Sequence, residues 1–66
     1  MILMDLYQRG KGILETFPSV NTEKEAEEFI SKYCEDHNVY VTARERCGDS
    51  HWNYLNDGTE IDYCKE

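Results

Sequence analysis

An α+β fold is predicted for this chain: an antiparallel sheet with one amphipathic helix packed on one face, in the order ββαβββ. Three observations carry it. Residues 21–37, NTEKEAEEFISKYCEDH, place apolar side chains at three- and four-residue steps. Segments on either side alternate apolar and polar residues, the period of a strand. Between those segments stand glycine, asparagine and aspartate, the residues that tight turns need.

The first two strands lie within residues 1–17. Ile2, Met4 and Leu6 alternate with Leu3, Asp5 and Tyr7, and Ile13 to Phe17 alternates less cleanly. Gln8-Arg9-Gly10-Lys11-Gly12 supplies the glycines of a hairpin. Phe17-Pro18-Ser19 is expected to stop the second strand, because proline donates nothing to a ladder. In the helix, Thr22 and Glu25 form a capping box, and Asn38 is placed to end it in the left-handed conformation. Its buried stripe is Ala26, Phe29, Ile30, Tyr33, Cys34 and His37.

The third strand is read at Val39 to Arg46, with Val39, Val41 and Ala43 toward the core and Tyr40, Thr42, Arg44 and Arg46 away from it. Gly48-Asp49 turns the chain into His51 to Leu55, and Asn56-Asp57-Gly58-Thr59 turns it into Glu60 to Cys64. A four-residue loop at the second turn sets Trp52 opposite Tyr63 and Tyr54 opposite Ile61. It joins the aromatics to Val41 and Ala43 on one core face. A three-residue loop mixes apolar and charged partners, so the four-residue register is preferred. It also makes His51 and Cys64 cross-strand neighbours on the outer face, with Glu60 and Asp62 on the outside of an edge strand.

Residues 1–66 make a single acidic domain with no repeat and no linker. A chain this short buries only about 60% of its unfolded surface, yet with 39% apolar residues it is not a disordered tail. The net charge of −7, from 14 acids and 7 bases, argues against direct nucleic-acid binding, which needs Lys and Arg on phosphates. It argues equally against an anionic membrane. The helical segment and the last segment carry most of the negative charge, and Arg44 and Arg46 lie between them. Met1-Ile2-Leu3-Met4 is too short for a leader or a span. Three cysteines, an odd number, fit a reducing cytoplasm.

Cys34-x-x-His37 and Cys47-x-x-x-His51, with Cys64 in reserve, have zinc-like spacings. The extended strand between the two halves spans roughly 26 Å at about 3.3 Å per residue, too far for one ion, so no metal and no cofactor is expected. Cys34 sits on the buried stripe, where cysteine behaves as a small hydrophobe rather than a nucleophile. With no phosphate cradle either, no enzyme is expected.

The remaining candidates concern binding. Lys24, Glu28, Lys32 and Asp36 form a largely self-compensated ladder on the helix, leaving other acids unpaired. Tyr40 and Arg44 have the composition of interface hot spots, although Arg44 and Arg46 could also pair with Glu60 and Asp62 across the sheet. The partner-binding set is therefore Glu23, Glu27, Glu28, Glu35, Asp36, Tyr40, Arg44, Glu60 and Asp62. Its expected target is a larger protein with a basic, nucleic-acid-handling surface, which these carboxylates approach as phosphates would. Small acidic decoys of this kind are a habit of bacteriophages and mobile elements, an analogy of size and charge alone. The alternatives are a homodimer whose acidity serves solubility, and a small zinc or redox module.

Overall fold

The computed structural model describes all 66 residues. The elements are β1 (Ile2–Gln8), β2 (Gly12–Val20), α1 (Glu23–His37), β3 (Val41–Cys47), β4 (Ser50–Leu55) and β5 (Thr59–Lys65). All five strands pair antiparallel in the order β2-β1-β5-β4-β3. The α+β class and the order ββαβββ thus hold. The chain's last strand is inserted beside its first, so β5 is the central strand and Glu60 and Asp62 do not lie on an edge.

Helix α1 begins as the capping box requires. The Thr22 hydroxyl oxygen accepts from the Glu25 backbone N–H at 3.1 Å and the hydroxyl donates to Glu25 Oε1 at 3.2 Å. Asn38 ends the helix at φ 54°, in the left-handed region. Ala26 and Ile30 are fully buried on the sheet, with Phe29, Tyr33 and Cys34 packed beside them, whereas His37 is exposed. The rest of the core is Ile2, Met4, Phe17, Leu55, Ile61 and Tyr63.

Strand β2 runs through Pro18 to Val20 instead of stopping. As an edge strand it can point the missing N–H toward solvent. Two register shifts against β1 bend it, one between the pairs Ile2–Val20 and Met4–Phe17 and one that leaves Leu14 without a partner. The third strand starts later than expected. Tyr40 precedes it, donating its backbone N–H to Asn56 Oδ1 at 2.8 Å and accepting from the Asn56 N–H at 3.0 Å.

The larger correction lies at the β4–β5 turn. The observed pairs are His51–Tyr63, Trp52–Asp62, Asn53–Ile61 and Tyr54–Glu60, one residue away from the expected register. The loop is Asn56-Asp57-Gly58, with Gly58 at φ 92°, the left-handed position of a three-residue hairpin. Asp57 fastens it by accepting from the Thr59 N–H at 3.0 Å and the Thr59 hydroxyl at 2.6 Å. Those bonds also hold the Asp57 carboxyl below its ordinary value.

A one-residue slip exchanges the faces of a strand, so Leu55, Asn53 and His51 face the helix while Trp52 and Tyr54 face away. The polar intruders are accommodated. Asn53 is buried with its Nδ2 donating to the Ile61 carbonyl at 3.2 Å, and the His51 ring stacks on Tyr63 with centroids 4.4 Å apart.

Candidate functional site

Cross-strand pairing assembles one continuous surface on the sheet face opposite the helix. Its middle row reads Thr16, Asp5, Asp62, Trp52 and Glu45 across β2, β1, β5, β4 and β3. The next row reads Ile13, Tyr7, Glu60, Tyr54 and Ala43, and the row beyond the middle holds Leu3, Cys64, Ser50 and Cys47. Four carboxylates and three large aromatics share this face, and no Lys or Arg stands at any of these positions. The paired basic residues of the three last strands, Arg44, Arg46 and Lys65, lie on the helix side because their partners are Asn53, His51 and Ile2.

The electrostatics follow from that segregation. Asp62 faces Asp5 across β1–β5 and is flanked by Glu60 two residues away. Its Oδ1 is completely enclosed and makes no hydrogen bond. Burial first, then a hydrogen bond shared with Glu60 and the charges of Glu60 and Asp5, push the Asp62 carboxyl up to about 8. It is therefore mostly protonated at neutral pH. On the same face the Tyr54 hydroxyl donates to Glu45 Oε1 at 2.6 Å. That bond, with burial and nearby carboxylates, raises the phenol to about 12.

The sequence-derived binding residues do not form one site. Glu60 and Asp62 belong to the open face. Arg44 does not: it projects to the helix side, where its Nη2 lies 3.9 Å from Glu27 Oε1. The alternative pairing of Arg44 and Arg46 with Glu60 and Asp62 is thereby overturned, since the two sets occupy opposite faces. Glu27 also accepts from the Tyr63 hydroxyl at 3.1 Å, and Glu23 lies 3.9 Å from His51 Nε2. Asp36 pairs with Lys32 at 3.4 Å. Glu28 and Glu35 remain on the outer wall of α1 without an ion pair, and Tyr40 is exposed in the loop before β3.

Asp5, Tyr7, Glu45, Trp52 and Tyr54 were not singled out from the sequence. For Asp5 and Tyr7 the signal was present, because strict alternation with Ile2, Met4 and Leu6 sets them opposite the core. For Trp52 and Tyr54 it was masked by the preference for burying aromatics.

His51 and Cys64 are not neighbours: His51 pairs with Tyr63 on the helix side, while Cys64 pairs with Ser50 on the open face. No group of three or more His, Cys, Asp or Glu side chains is arranged to hold a metal ion. Burial pushes the Cys34 thiol up, away from the low values of reactive cysteines. No helix is long and apolar enough to cross a membrane. Compared with known proteins, the chain matches no family model, and no curated protein or solved structure is significantly similar to it.

Proposed function

We propose that this chain is a non-enzymatic binding protein that docks the open face of its sheet on the basic surface of a larger protein and so occupies that surface. The observation that supports this reading is the charge segregation itself: Asp5, Glu45 and Glu60, with the mostly protonated Asp62 between Asp5 and Glu60, lie among Tyr7, Trp52 and Tyr54 with no cation of the chain's own beside them. Aromatic rings with adjacent carboxylates suit arginine and lysine, which gain both cation–π and charge-assisted contacts. A cytoplasmic target whose basic site ordinarily holds nucleic acid is the finer form of the proposal. Neighbouring backbone positions on this face lie about 4.8 Å apart between strands and about 6.7 Å apart along one strand, and with Asp62 ionised beside a cationic partner the carboxylates would stand in for backbone phosphates. The acids of α1 contribute less, since Glu23, Glu27 and Asp36 have partners within the chain.

The test is affinity capture with the immobilised chain, comparing it with the isosteric variant Asp5→Asn/Glu45→Gln/Glu60→Gln. Basic proteins should be retained, their retention should fall steeply from low to moderate salt, and the variant should lose them. Displacement by excess duplex DNA marks a target with a nucleic-acid site. Capture that ignores both salt and the substitutions, or no capture, overturns the proposal.

A second reading, a homodimer through the same face, is favoured by Leu3 and Ile13, which are 39% and 61% exposed there. The same carboxylates count against it, because a second copy brings like charges together. Light scattering showing a stable dimer would reverse that preference.

A further inference from the structure

We propose that the groove between α1 and the end of β2, on the helix side of the molecule, docks a short basic segment of a partner protein. The segment sets one apolar side chain on the groove floor and an arginine or lysine against its rim. The site is separate from the open sheet face and stands whether or not that face docks anything.

The floor consists of Val20, Phe29 and Tyr33, beneath an open groove of about 480 Å³. That volume falls in the range of about 300–1,000 Å³ typical of ligand pockets, enough for a few side chains but not for a folded surface. The floor is preformed. Phe29 and Tyr33 are held against buried Phe17, at centroid distances of 4.7 and 5.7 Å, and the His37 ring stacks on Tyr33 at 3.9 Å. His37 is fixed in turn by its Nδ1 contact with the Tyr33 carbonyl at 2.9 Å.

Charge decides the occupant. Glu25, Glu28 and Asp36 stand around the groove against the single cation Lys32. Lys32 is 77% exposed and reaches only Asp36, at 3.4 Å, a pair of little strength in water. Beyond the rim, burial first, then the charges of Asp57 and Glu15, which lie outside the groove, raise the Tyr33 hydroxyl above its ordinary value. An acidic segment is repelled by this surround, and a purely apolar one gains nothing from its carboxylates. A guanidinium can lie on a ring face while pairing with a rim carboxylate.

The experiment is a titration of the isotope-labelled chain with the blocked peptide acetyl-Arg-Leu-Arg-Arg-Leu-Arg-amide, read by amide chemical shifts. Its control is the same peptide with glutamate for arginine. Shifts should cluster at Val20, Phe29, Tyr33 and His37, whatever Trp52 and Asp62, which report on the open face, do. The surface variant Glu28→Lys/Asp36→Lys should bind at least tenfold more weakly while keeping the dispersed spectrum of a folded chain.

Shifts confined to Trp52 and Asp62, an equal response to the glutamate peptide, or no response would each overturn the proposal. So would groove shifts that follow the chain's own concentration, which would make a second copy the occupant. None of these groove results decides the fate of the open face, because Trp52 and Asp62 report it independently.

Discussion

The two faces of the sheet treat polar groups in opposite ways. On the helix side the polar side chains nearest the core find partners: Asn53 reaches the Ile61 carbonyl, His51 lies on Tyr63 and toward Glu23, and Arg44 approaches Glu27. On the open side Asp5, Glu60 and Asp62 crowd together with no cation, and one Asp62 oxygen is enclosed without a hydrogen bond. Buried polar groups cost stability unless they are satisfied. The covered face meets that requirement within the chain, whereas the enclosed Asp62 oxygen of the open face does not.

The contrast is most sharply tested by truncation on the covered side. Ile61 and Met4 are both completely buried, and large-to-alanine changes in cores cost about 2–5 kcal/mol. Domains of this size have only about 3–5 kcal/mol to lose. Ile61→Ala and Met4→Ala should therefore abolish the cooperative urea transition or shift it to the lowest concentrations. Leu3→Ala, on the rim of the open face, should leave a transition close to that of the parent. A similar loss from Leu3→Ala would mean that the two faces do not differ as described.

Asp62 gives the next largest effect, with the sign of a raised carboxyl. Its pKa is 3.8 ordinarily and about 8 in the folded chain. Between those values the unfolded chain has released the proton that the folded chain keeps, so unfolding releases a proton and stability falls as pH rises. The favourable state is fully present below about pH 4 and lost as pH passes about 8. Asp62→Asn should flatten this dependence. With allowance for solvent at a half-buried site, it should add on the order of 1–2 kcal/mol near pH 8 and nothing near pH 4. Thermal unfolding across that range checks it, and a variant that loses stability at pH 8 would contradict the strained cluster. A cationic partner favours the ionised form, so binding at the open face should also strengthen as pH rises toward 8.

The same contrast explains which parts of the fold could be read from the chain. Both helix caps were legible because Thr22, Glu25 and Asn38 act through local bonds. The Gly48-Asp49 turn was legible for the same reason, and it correctly sets Ala43 beside Tyr54. The β4–β5 register was not, because the three-residue loop looked costly when judged by side-chain partners. Its compensation lies in tertiary contacts: the Asn53 bond, the His51–Tyr63 stack and the burial of Leu55. The open face was misassigned as a consequence. Once Trp52 and Tyr54 are placed in the core, Arg44 falls outside and the acidic surface gains counter-charges of its own. Pro18 misled differently, since an edge strand was not distinguishable from an interior one before the insertion of β5 was known.

Removing the cap loosens the layer that distinguishes the two faces. Thr22→Ala deletes the acceptor for the Glu25 N–H, and losses of this kind cost about 1 kcal/mol. The unfolding midpoint should drop accordingly. Hydrogen exchange should accelerate first at residues 23–26 rather than in β5. Uniform acceleration across the sheet would show that α1 and the sheet open as one unit.

The smallest effect separates the faces most directly, because each carries a tyrosine bonded to a glutamate. Tyr63 donates to Glu27 at 3.1 Å on the covered side, and Tyr54 donates to Glu45 at 2.6 Å on the open side. Both hydroxyls are raised to about 12, Tyr63 chiefly by burial and Tyr54 chiefly by its bond to Glu45. The shorter bond is the exposed one, where water replaces it at little cost. Tyr63→Phe leaves a half-buried Glu27 without one of its donors and should cost about 0.5–1.5 kcal/mol. Tyr54→Phe should leave the urea midpoint unchanged while loosening Glu45, seen as a drop in affinity for basic partners. If the two substitutions destabilise equally, the open face is more rigidly bonded than its exposure implies.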